Sequence, residues 1–334
     1  MLDELLTNFV QGIPAGIGGF AILFGMILAT LYVLGKGADI LVDEAVLLSV
    51  KWGIPKMIIG ATIVSLGTTL PEVTVSVLSA LKGSAGLAMG NAVGSVICNT
   101  GLILGTSSLI APLPFKKDVV SKPNLILCGS AALLILCSFV FKGRVPQYIG
   151  FVFLVLLTLY LIWTIKSVKT SSSDSELEES ADSSTLVIVL KLILGVVLVV
   201  LSSKILIPTV QETALRCRIP ETVIAATLVA FGTSLPELIT GITSAKKGHG
   251  DLAIGNVIGA NILNILFVVG AAASVTRGGL AVEKNFFYLL YPSMLFMLLV
   301  LLLTLKFSKD SLKRGVGLIL LLSYLAVTVL SYFV

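Results

Sequence analysis

Residues 60–105 read GATIVSLGTTLPEVTVSVLSALKGSAGLAMGNAVGSVICNTGLILG, and residues 225–270 read AATLVAFGTSLPELITGITSAKKGHGDLAIGNVIGANILNILFVVG. The two segments align without a gap at an offset of 165 residues and are identical at 20 of 46 positions. Each contains one glutamate, Glu72 or Glu237, in an apolar stretch interrupted by glycine and proline. A charged side chain at membrane depth is costly and usually lies on an ion or substrate path. Matching interrupted segments in two halves of a chain indicate the binding site of a transporter.

The composition around these segments is typical of a membrane protein. Hydrophobic residues make up 56% of the 334 residues, charged residues make up 12%, and the mean hydropathy is +1.06. Apolar runs of about 20 residues, the length that crosses the hydrocarbon core, occur ten times. The short alternating strands of a β-barrel are not recognisable, so the sequence predicts an all-α polytopic membrane protein. The predicted spans are 17–35, 55–81, 86–111, 124–141, 146–165, 185–207, 220–245, 251–273, 286–306 and 315–333.

A polar segment divides these spans into two equal groups. Residues 167–184 read SVKTSSSDSELEESADSS, a composition that predicts a flexible linker because it cannot bury a core. The linker separates a first half, 1–166, from a second half, 185–334, and each half has five predicted spans. Because five is odd, the second half enters the membrane in the opposite direction. The duplication is therefore predicted to be an inverted repeat whose axis lies in the membrane plane.

The distribution of basic residues predicts the orientation. With the amino terminus outside, the inner loops hold 15 of the 23 Lys and Arg residues and the outer loops hold 8. This bias predicts both termini outside, the linker in the cytoplasm, and a location in the plasma membrane. The net charge of +5 is spread over short loops and does not indicate nucleic-acid binding. The first 16 residues lack a basic segment and a cleavage site, so the first span is expected to be retained.

The repeated segment contains the residues expected to carry the chemistry. Pro71 has no amide proton, and its ring crowds the carbonyl of Gly67, so the helix is predicted to unwind there and to free carbonyls around Ser65–Thr68. Irregular backbone at this depth is tolerated where it lines a cavity. The hydroxyls of the Thr68–Thr69 pair share a helical face with Glu72. Ca²⁺ and Na⁺ prefer oxygen ligands, and carboxylates, hydroxyls and backbone carbonyls all supply them. The second copy repeats the arrangement with Gly232, Thr233, Ser234, Pro236 and Glu237.

The next helix of each half adds a polar stripe. Its members are Asn91, Ser95 and Asn99 in the first half and Asn256, Ala260 and Asn264 in the second. For Asn91 and Asn256, a ligand role and a bond to a neighbouring backbone are equally favoured. For Asn99 and Asn264, which lie deeper, the ligand role is favoured. No Arg, Lys or His lies in the sequence at the predicted depth of the glutamates, so the expected partner of the carboxylates is a diffusible cation.

These motifs resemble the α-repeats of the cation/calcium antiporter superfamily, specifically its sodium/calcium exchanger branch. The matching strings are GTTLPE at 67–72, GSVICN at 94–99, GTSLPE at 232–237 and GANILN at 259–264. The resemblance implies a sodium/calcium exchanger-like fold of ten helices in two inverted repeats. It also implies a transporter, not an enzyme, that needs no cofactor, works as a monomer and exchanges Ca²⁺ for Na⁺ by alternating access.

The resemblance also implies a set of ion ligands. Glu72 and Glu237 would form the central Ca²⁺ site with backbone carbonyls near Thr68 and Thr233. The implied Na⁺ ligands are Thr68, Thr69, Ser95, Asn99, Thr233, Ser234 and Asn264, with the carbonyls of Ser65 and Ala230.

The chain departs from the family pattern at three positions. Ala260 replaces a frequent Ser, and Val96 replaces a common Asn. Asn264 stands where some members, including potassium-dependent ones, have Asp. The missing hydroxyl at Ala260 leaves one Na⁺ site and the stoichiometry open, and Asn264 argues against potassium co-transport.

Two other transport functions remain as alternatives. One is an antiporter that exchanges H⁺ for Ca²⁺ or another divalent cation. The GNxxE string typical of that branch is absent, which favours Na⁺ as the driving ion. The other is a cation channel, which usually places its acidic residues in rings around a continuous pore. Residues 248–251, GHGD, match a string of intramembrane proteases, but the second membrane aspartate that this chemistry needs is missing.

Overall fold

The computed structural model describes residues 2–170, 184–217 and 232–331, and it is almost entirely helical. The short strands are β1 (Leu113–Pro114), β2 (Arg144–Val145), β3 (Leu280–Ala281) and β4 (Ser311–Leu312). The helices are α1 (Leu2–Gln11), α2 (Ile17–Trp52), α3 (Lys56–Thr68), α4 (Leu70–Leu81), α5 (Ala85–Ile110), α6 (Lys117–Val140), α7 (Gln147–Thr170), α8 (Thr185–Arg216), α9 (Leu235–Lys246), α10 (Gly250–Val275), α11 (Phe286–Phe307) and α12 (Arg314–Leu330).

Seven of the described helices are long and apolar enough to cross a membrane, and α3 with α4 forms an eighth candidate bent by 46°. The shorter α12 matches the tenth predicted span. The seventh predicted span, 220–245, is described only from residue 232, where its break and α9 begin. The linker prediction falls mainly on 171–183, which lie outside the described residues.

Two predicted spans are too short. The helix predicted at 17–35 continues to Trp52, and the one predicted at 185–207 continues to Arg216. Charged residues such as Asp39 and Asp43 end the apolar run of α2 but are compatible with a helix. The hydrophobic pattern therefore ends before the helix does. The amino-terminal helix α1 was not predicted at all.

The strand pairs show that the two halves are inverted. The loop between α5 and α6 contains β1, and its equivalent in the second half contains β3. If the halves ran in the same direction, these loops would lie at the same end of the bundle. Instead β3 pairs with β2, at the opposite end of α6 from β1, while β1 pairs with β4. Equivalent loops therefore lie at opposite ends of the molecule.

The two site-bearing helices α5 and α10 lie innermost. In the apolar windows of these helices, 72% and 94% of the residues are buried, against 22% for α2. A side-chain carbon at Gly255 or Gly259 would collide with the backbone of α3, so these glycines set the close contact of α10 with α3. The equivalent glycines of α5, Gly90 and Gly94, have nothing within 4 Å of such a carbon.

The long helices α2 and α8 pack against each other at the outside of this core. Gly195 allows the closest approach, because a Cβ there would lie 2.8 Å from the backbone nitrogen of Leu41. At one end of the pair, Lys247 bridges to Asp43 at 2.8 Å. At the other end, the Arg216 guanidinium donates to the carbonyl of Ile13 at 2.7 Å and so ties down the segment before α2.

Candidate ion-binding site

Glu72 and Glu237 lie in the first turns of α4 and α9, immediately after the two helix breaks. Pro71 and Pro236 precede them, which fits the preference for proline in the first turn, where the missing N–H costs nothing. Both glutamate side chains are 0% exposed. The positive end of each helix dipole faces its own carboxylate and partly offsets the cost of burying that charge.

The hydroxyl residues that begin α4 and α9 cross to the opposite half. Thr69 makes no side-chain cap to α4, and its Oγ1 donates to Oε1 of Glu237 at 3.3 Å. Ser234, its equivalent, likewise makes no cap to α9 and donates to Oε1 of Glu72 at 3.4 Å. These bonds exceed the usual O–H···O distance of about 2.7–2.8 Å, so they are weak, but they are reciprocal. Each carboxylate therefore lies beside the residue that begins the other carboxylate's helix.

The second oxygen of each carboxylate is buried without a hydrogen-bond partner among the described residues. In the described part of the chain, neither Oε2 of Glu72 nor Oε2 of Glu237 accepts a hydrogen bond, although both are buried. The ion pairs observed among the described residues involve neither Glu72 nor Glu237. Such buried, unpaired acceptors are what a cation needs in order to replace its water shell with protein oxygens.

Asn99 and Asn264 provide further unpaired oxygens from α5 and α10. Each begins a π-helical stretch, Asn99–Ile103 or Asn264–Val269, and such stretches are frequent at functional sites. Both side chains are buried, and their amide atoms have no partner among the described residues. Their amide oxygens are therefore free of protein hydrogen bonds in the described part of the chain. Ser95 is also buried and accepts from the hydroxyl of Ser234 at 3.2 Å.

The first helix break is a bend and not an open loop. The carbonyl of Ser65, expected to be freed, still accepts the Thr69 amide at 2.9 Å, so that part of the prediction is wrong. The carbonyl of Gly67 loses its helical donor because Pro71 has no N–H. A carbonyl with one hydrogen bond keeps a second lone pair, so Ser65 remains a possible ligand. Ala230, the matching carbonyl in the second half, lies outside the described residues.

The two threonines that precede the breaks differ. Thr68 is 0% exposed, and its hydroxyl donates to carbonyls of its own helix, Val64 at 3.2 Å and Ser65 at 3.4 Å. Thr233 is half-buried and donates across the halves to Oδ1 of Asn91 at 3.0 Å. The amide of Asn91 in turn donates to the backbone carbonyl of Glu72 at 3.1 Å. Of the two equal alternatives for Asn91, these contacts support the structural one.

A cavity of about 180 Å³ lies beside the site. Its inner wall includes Pro71, Thr233 and Pro236, next to both glutamates, and its outer wall is formed by α8 and by Thr7 of α1. Hydrophobic periodicity does not predict this cavity, because it does not indicate α1 and because α8 extends beyond its apolar run.

The opposite end of the bundle carries a cluster of charges that the sequence did not predict. His249 has Nδ1 3.2 Å from Nζ of Lys56, and burial together with the Lys56 charge lowers the pKa of His249. Burial also lowers the pKa of Lys247, but hydrogen bonds and charge from Asp43 and Asp39 outweigh it and raise that pKa overall. These contacts join α2 to the loop between α9 and α10.

No group of three or more His, Cys, Asp or Glu side chains that would hold a metal occurs in the described ranges. A cation in this site would therefore depend on two carboxylates and on neutral oxygens. That donor set suits hard cations such as Ca²⁺ and Na⁺ and does not resemble the sulfur and nitrogen sites of zinc.

Comparison with known proteins gives a consistent result. The family profile described as sodium/calcium exchanger protein matches residues 22–166 and 187–333. The inner membrane protein YrbG of Escherichia coli is 35% identical over 78% of this chain and 83% of its own length. Sodium/calcium exchanger MaX1 of Methanosarcina acetivorans is 27% identical over 93% of this chain and 99% of its own length.

The fold has a counterpart among solved structures. A structure of the sodium-calcium exchanger NCX_Mj soaked with Na⁺ and Sr²⁺ superimposes with a TM-score of 0.80 at 30% identity, covering 92% of this chain and 98% of the other. The predicted fold class, an all-α membrane protein with ten helices in two inverted five-helix repeats, is confirmed.

Proposed function

The chain belongs to the sodium/calcium exchanger family, and from that premise we propose that it exchanges Ca²⁺ for Na⁺ across a membrane at a site built on Glu72 and Glu237. The observation that supports this site most directly is the reciprocal pair of bonds from Thr69 and Ser234, which brings two buried carboxylates from oppositely directed halves together. The transporter role, and not an enzymatic one, follows from family membership.

The charge of the site explains why transport would be an exchange. Two carboxylates neutralise one Ca²⁺ or two Na⁺ ions. Because the same oxygens serve both ions, the ions compete and do not travel together. A carrier without ions would have to reorient with two uncompensated charges, and one central charge alone costs about 2.5–3.5 kcal/mol or more. Reorientation is therefore restricted to the ion-loaded carrier.

The neutral ligands in this proposal are those that the family resemblance implies. In this proposal, Ca²⁺ binds to the two glutamates and to the carbonyls near Thr68 and Thr233. Na⁺ ions use the same carboxylates with the side chains of Thr68, Thr69, Ser95, Asn99, Thr233, Ser234 and Asn264, and with the carbonyls of Ser65 and Ala230. The protein would lie in the plasma membrane as a monomer with both termini outside, since the charge bias of the loops favours that orientation.

The test is uptake of ⁴⁵Ca²⁺ into proteoliposomes loaded with Na⁺, K⁺ or a low-pH buffer. We expect Ca²⁺ uptake only when the Na⁺ concentration is higher inside the vesicles than outside. Uptake driven by protons alone would support the proton/calcium alternative, and uptake without any counter-gradient would support a channel. At the Ca²⁺ concentration that gives half-maximal uptake in the wild type, uptake is expected to be lost in both Glu72→Gln and Glu237→Gln, with the folded protein retained. Normal uptake in either variant would refute the site.

A further inference from the structure

Asn91 on α5 and Asn256 on α10 are equivalent in the two repeats but have different partners. Asn91 uses its whole amide: Nδ2 donates to the Glu72 carbonyl at 3.1 Å and to the Ser76 hydroxyl at 2.9 Å, and Oδ1 accepts from Thr233. Asn256 is 0% exposed, yet neither Oδ1 nor Nδ2 has a partner in the described part of the chain. A buried amide without partners is unfavourable and rare.

The equivalent threonines show the complementary difference. Thr233 crosses the halves to reach Asn91, whereas Thr68 turns back to carbonyls in its own helix and leaves Asn256 without a donor. The difference coincides with access to the site. Thr233 lines the cavity, whereas Thr68 is 0% exposed and is not among its lining residues; we call the side of Thr233 the open side and the side of Thr68 the sealed side. The threonine–asparagine bond is therefore formed on the open side and absent on the sealed side.

An inverted repeat gives this asymmetry a simple meaning. In such an architecture one repeat moves against the other around a fixed site, and the symmetry of the repeats allows each half to take, on reorientation, the conformation that the other half had before. The half containing Thr68 would then adopt the geometry now seen for Thr233. In that geometry the Thr68 hydroxyl would donate to Oδ1 of Asn256, and the bond between Thr233 and Asn91 would be broken.

We propose that the bonds Thr233–Asn91 and Thr68–Asn256 are alternatives, each formed in one orientation of the carrier, and that the two asparagines are positioning residues for the open state of their own side. The inference rests on the proposed antiport function and deepens it. It accounts for the unpartnered amide of Asn256, which serves the orientation not seen here.

The two bonds are not equally supported. Asn91 is held by Ser76, but the equivalent of Ser76 is Gly241, which offers no hydroxyl to Asn256. A larger residue does not fit there, because a Cβ at Gly241 would lie 2.8 Å from the side chain of Ile103. The second bond therefore lacks one of its supports, which favours the orientation seen in this structure.

The test uses two reporters at equivalent positions, introduced after replacement of the four native cysteines. Val75 lines the cavity, and its equivalent, Thr240, is fully buried at the sealed side. In purified protein, Val75→Cys should react with a polar maleimide when the present side is open, and Thr240→Cys only when the opposite side is open. The labelling rate of each cysteine then follows the population of one orientation without requiring any ion flux.

Asn256→Ala is the decisive variant, because it removes no hydrogen bond from the present structure. We expect it to slow labelling of Thr240→Cys by about 2- to 12-fold, the range that corresponds to one neutral hydrogen bond. Asn91→Ala should do the reverse, slowing Val75→Cys and accelerating Thr240→Cys. A thermal melt of each variant shows that it is folded.

Unchanged labelling of Thr240→Cys in Asn256→Ala, or changes in the same direction for both reporters, would overturn the proposal. Its failure is distinct from failure of the transport function. A wild-type protein that shows no Na⁺-driven Ca²⁺ uptake would contradict the function while leaving the labelling pattern interpretable.

Discussion

Replacing one site carboxylate by its amide should separate ion binding from folding. In Glu237→Gln the side chain keeps its size, and its amide oxygen can still accept from Thr69, as Oε1 does now at 3.3 Å. What is lost is one negative charge in a side chain that is 0% exposed. A bound Ca²⁺ would then retain one uncompensated positive charge in the interior.

The cost of that charge sets the size of the effect. A central membrane charge costs at least about 2.5–3.5 kcal/mol, and each 1.4 kcal/mol is about a factor of ten in affinity. We therefore expect the Ca²⁺ concentration for half-maximal uptake to rise by about 60- to 300-fold. The protein without ions should melt no earlier than the wild type, because the substitution removes repulsion between two buried carboxylates.

The assay is ⁴⁵Ca²⁺ uptake into Na⁺-loaded proteoliposomes over a range of Ca²⁺ concentrations, with a thermal melt of the same preparation. Glu283→Gln is the matched control, since the same change at an exposed loop residue should leave the uptake curve unchanged. A shift of less than about threefold in Glu237→Gln, with the control unaffected, would refute the idea that both carboxylates bind one ion.

Three further predictions follow from single contacts. Thr69→Ala should weaken Ca²⁺ uptake by a factor of about 2–12, because it removes one long bond to a carboxylate. Ser234→Ala should weaken it at least as much, because it removes the equivalent bond and the bond to Ser95; no effect of either substitution would contradict the reciprocal geometry. Burial lowers the pKa of His249, so the folded protein binds fewer protons than the unfolded one and loses stability as the pH falls below 6.5. The drop in melting temperature between pH 8 and pH 5 should therefore be smaller in His249→Gln than in the wild type. Gly195→Ala should lower the melting temperature because its Cβ would lie 2.8 Å from the α2 backbone, whereas Gly25→Ala, with open space around it, should raise stability by up to about 1 kcal/mol.

The sequence predicted the parts of this molecule that depend on periodicity and on repetition. Apolar runs located the spans, since burial in lipid requires them, and the repeat placed Glu72 and Glu237 at equivalent positions. The sequence did not show where helices continue beyond the hydrocarbon core. The hydrophobic pattern of α2 ends near residue 35, but the helix continues to Trp52.

The hydrogen-bond partners of individual side chains could not be predicted from the sequence either. Asn91 and Asn256 have the same spacing from the glutamates, and one is fully bonded while the other has no partner in the described ranges. Periodicity assigns a residue to a face, but its partners depend on how far two halves have moved relative to each other. That displacement is a property of the conformation, and a single sequence encodes more than one.

In the proposed mechanism, sequence differences between the two repeats change the relative energies of the two orientations of the carrier. If the two halves were identical, the two orientations of the carrier would be related by symmetry and equal in intrinsic energy, apart from the membrane and the ions. Each departure from identity removes that equality. Ser76 supports Asn91 but is replaced by Gly241, and Ser95 accepts from Ser234 but is replaced by Ala260. Both departures remove a hydrogen-bonding group from the second half and none from the first. Both differences therefore favour the same orientation of the carrier, the one in which Ser76 and Ser95 of the first half make these bonds. That is the orientation seen here, in which Thr233 lines the cavity.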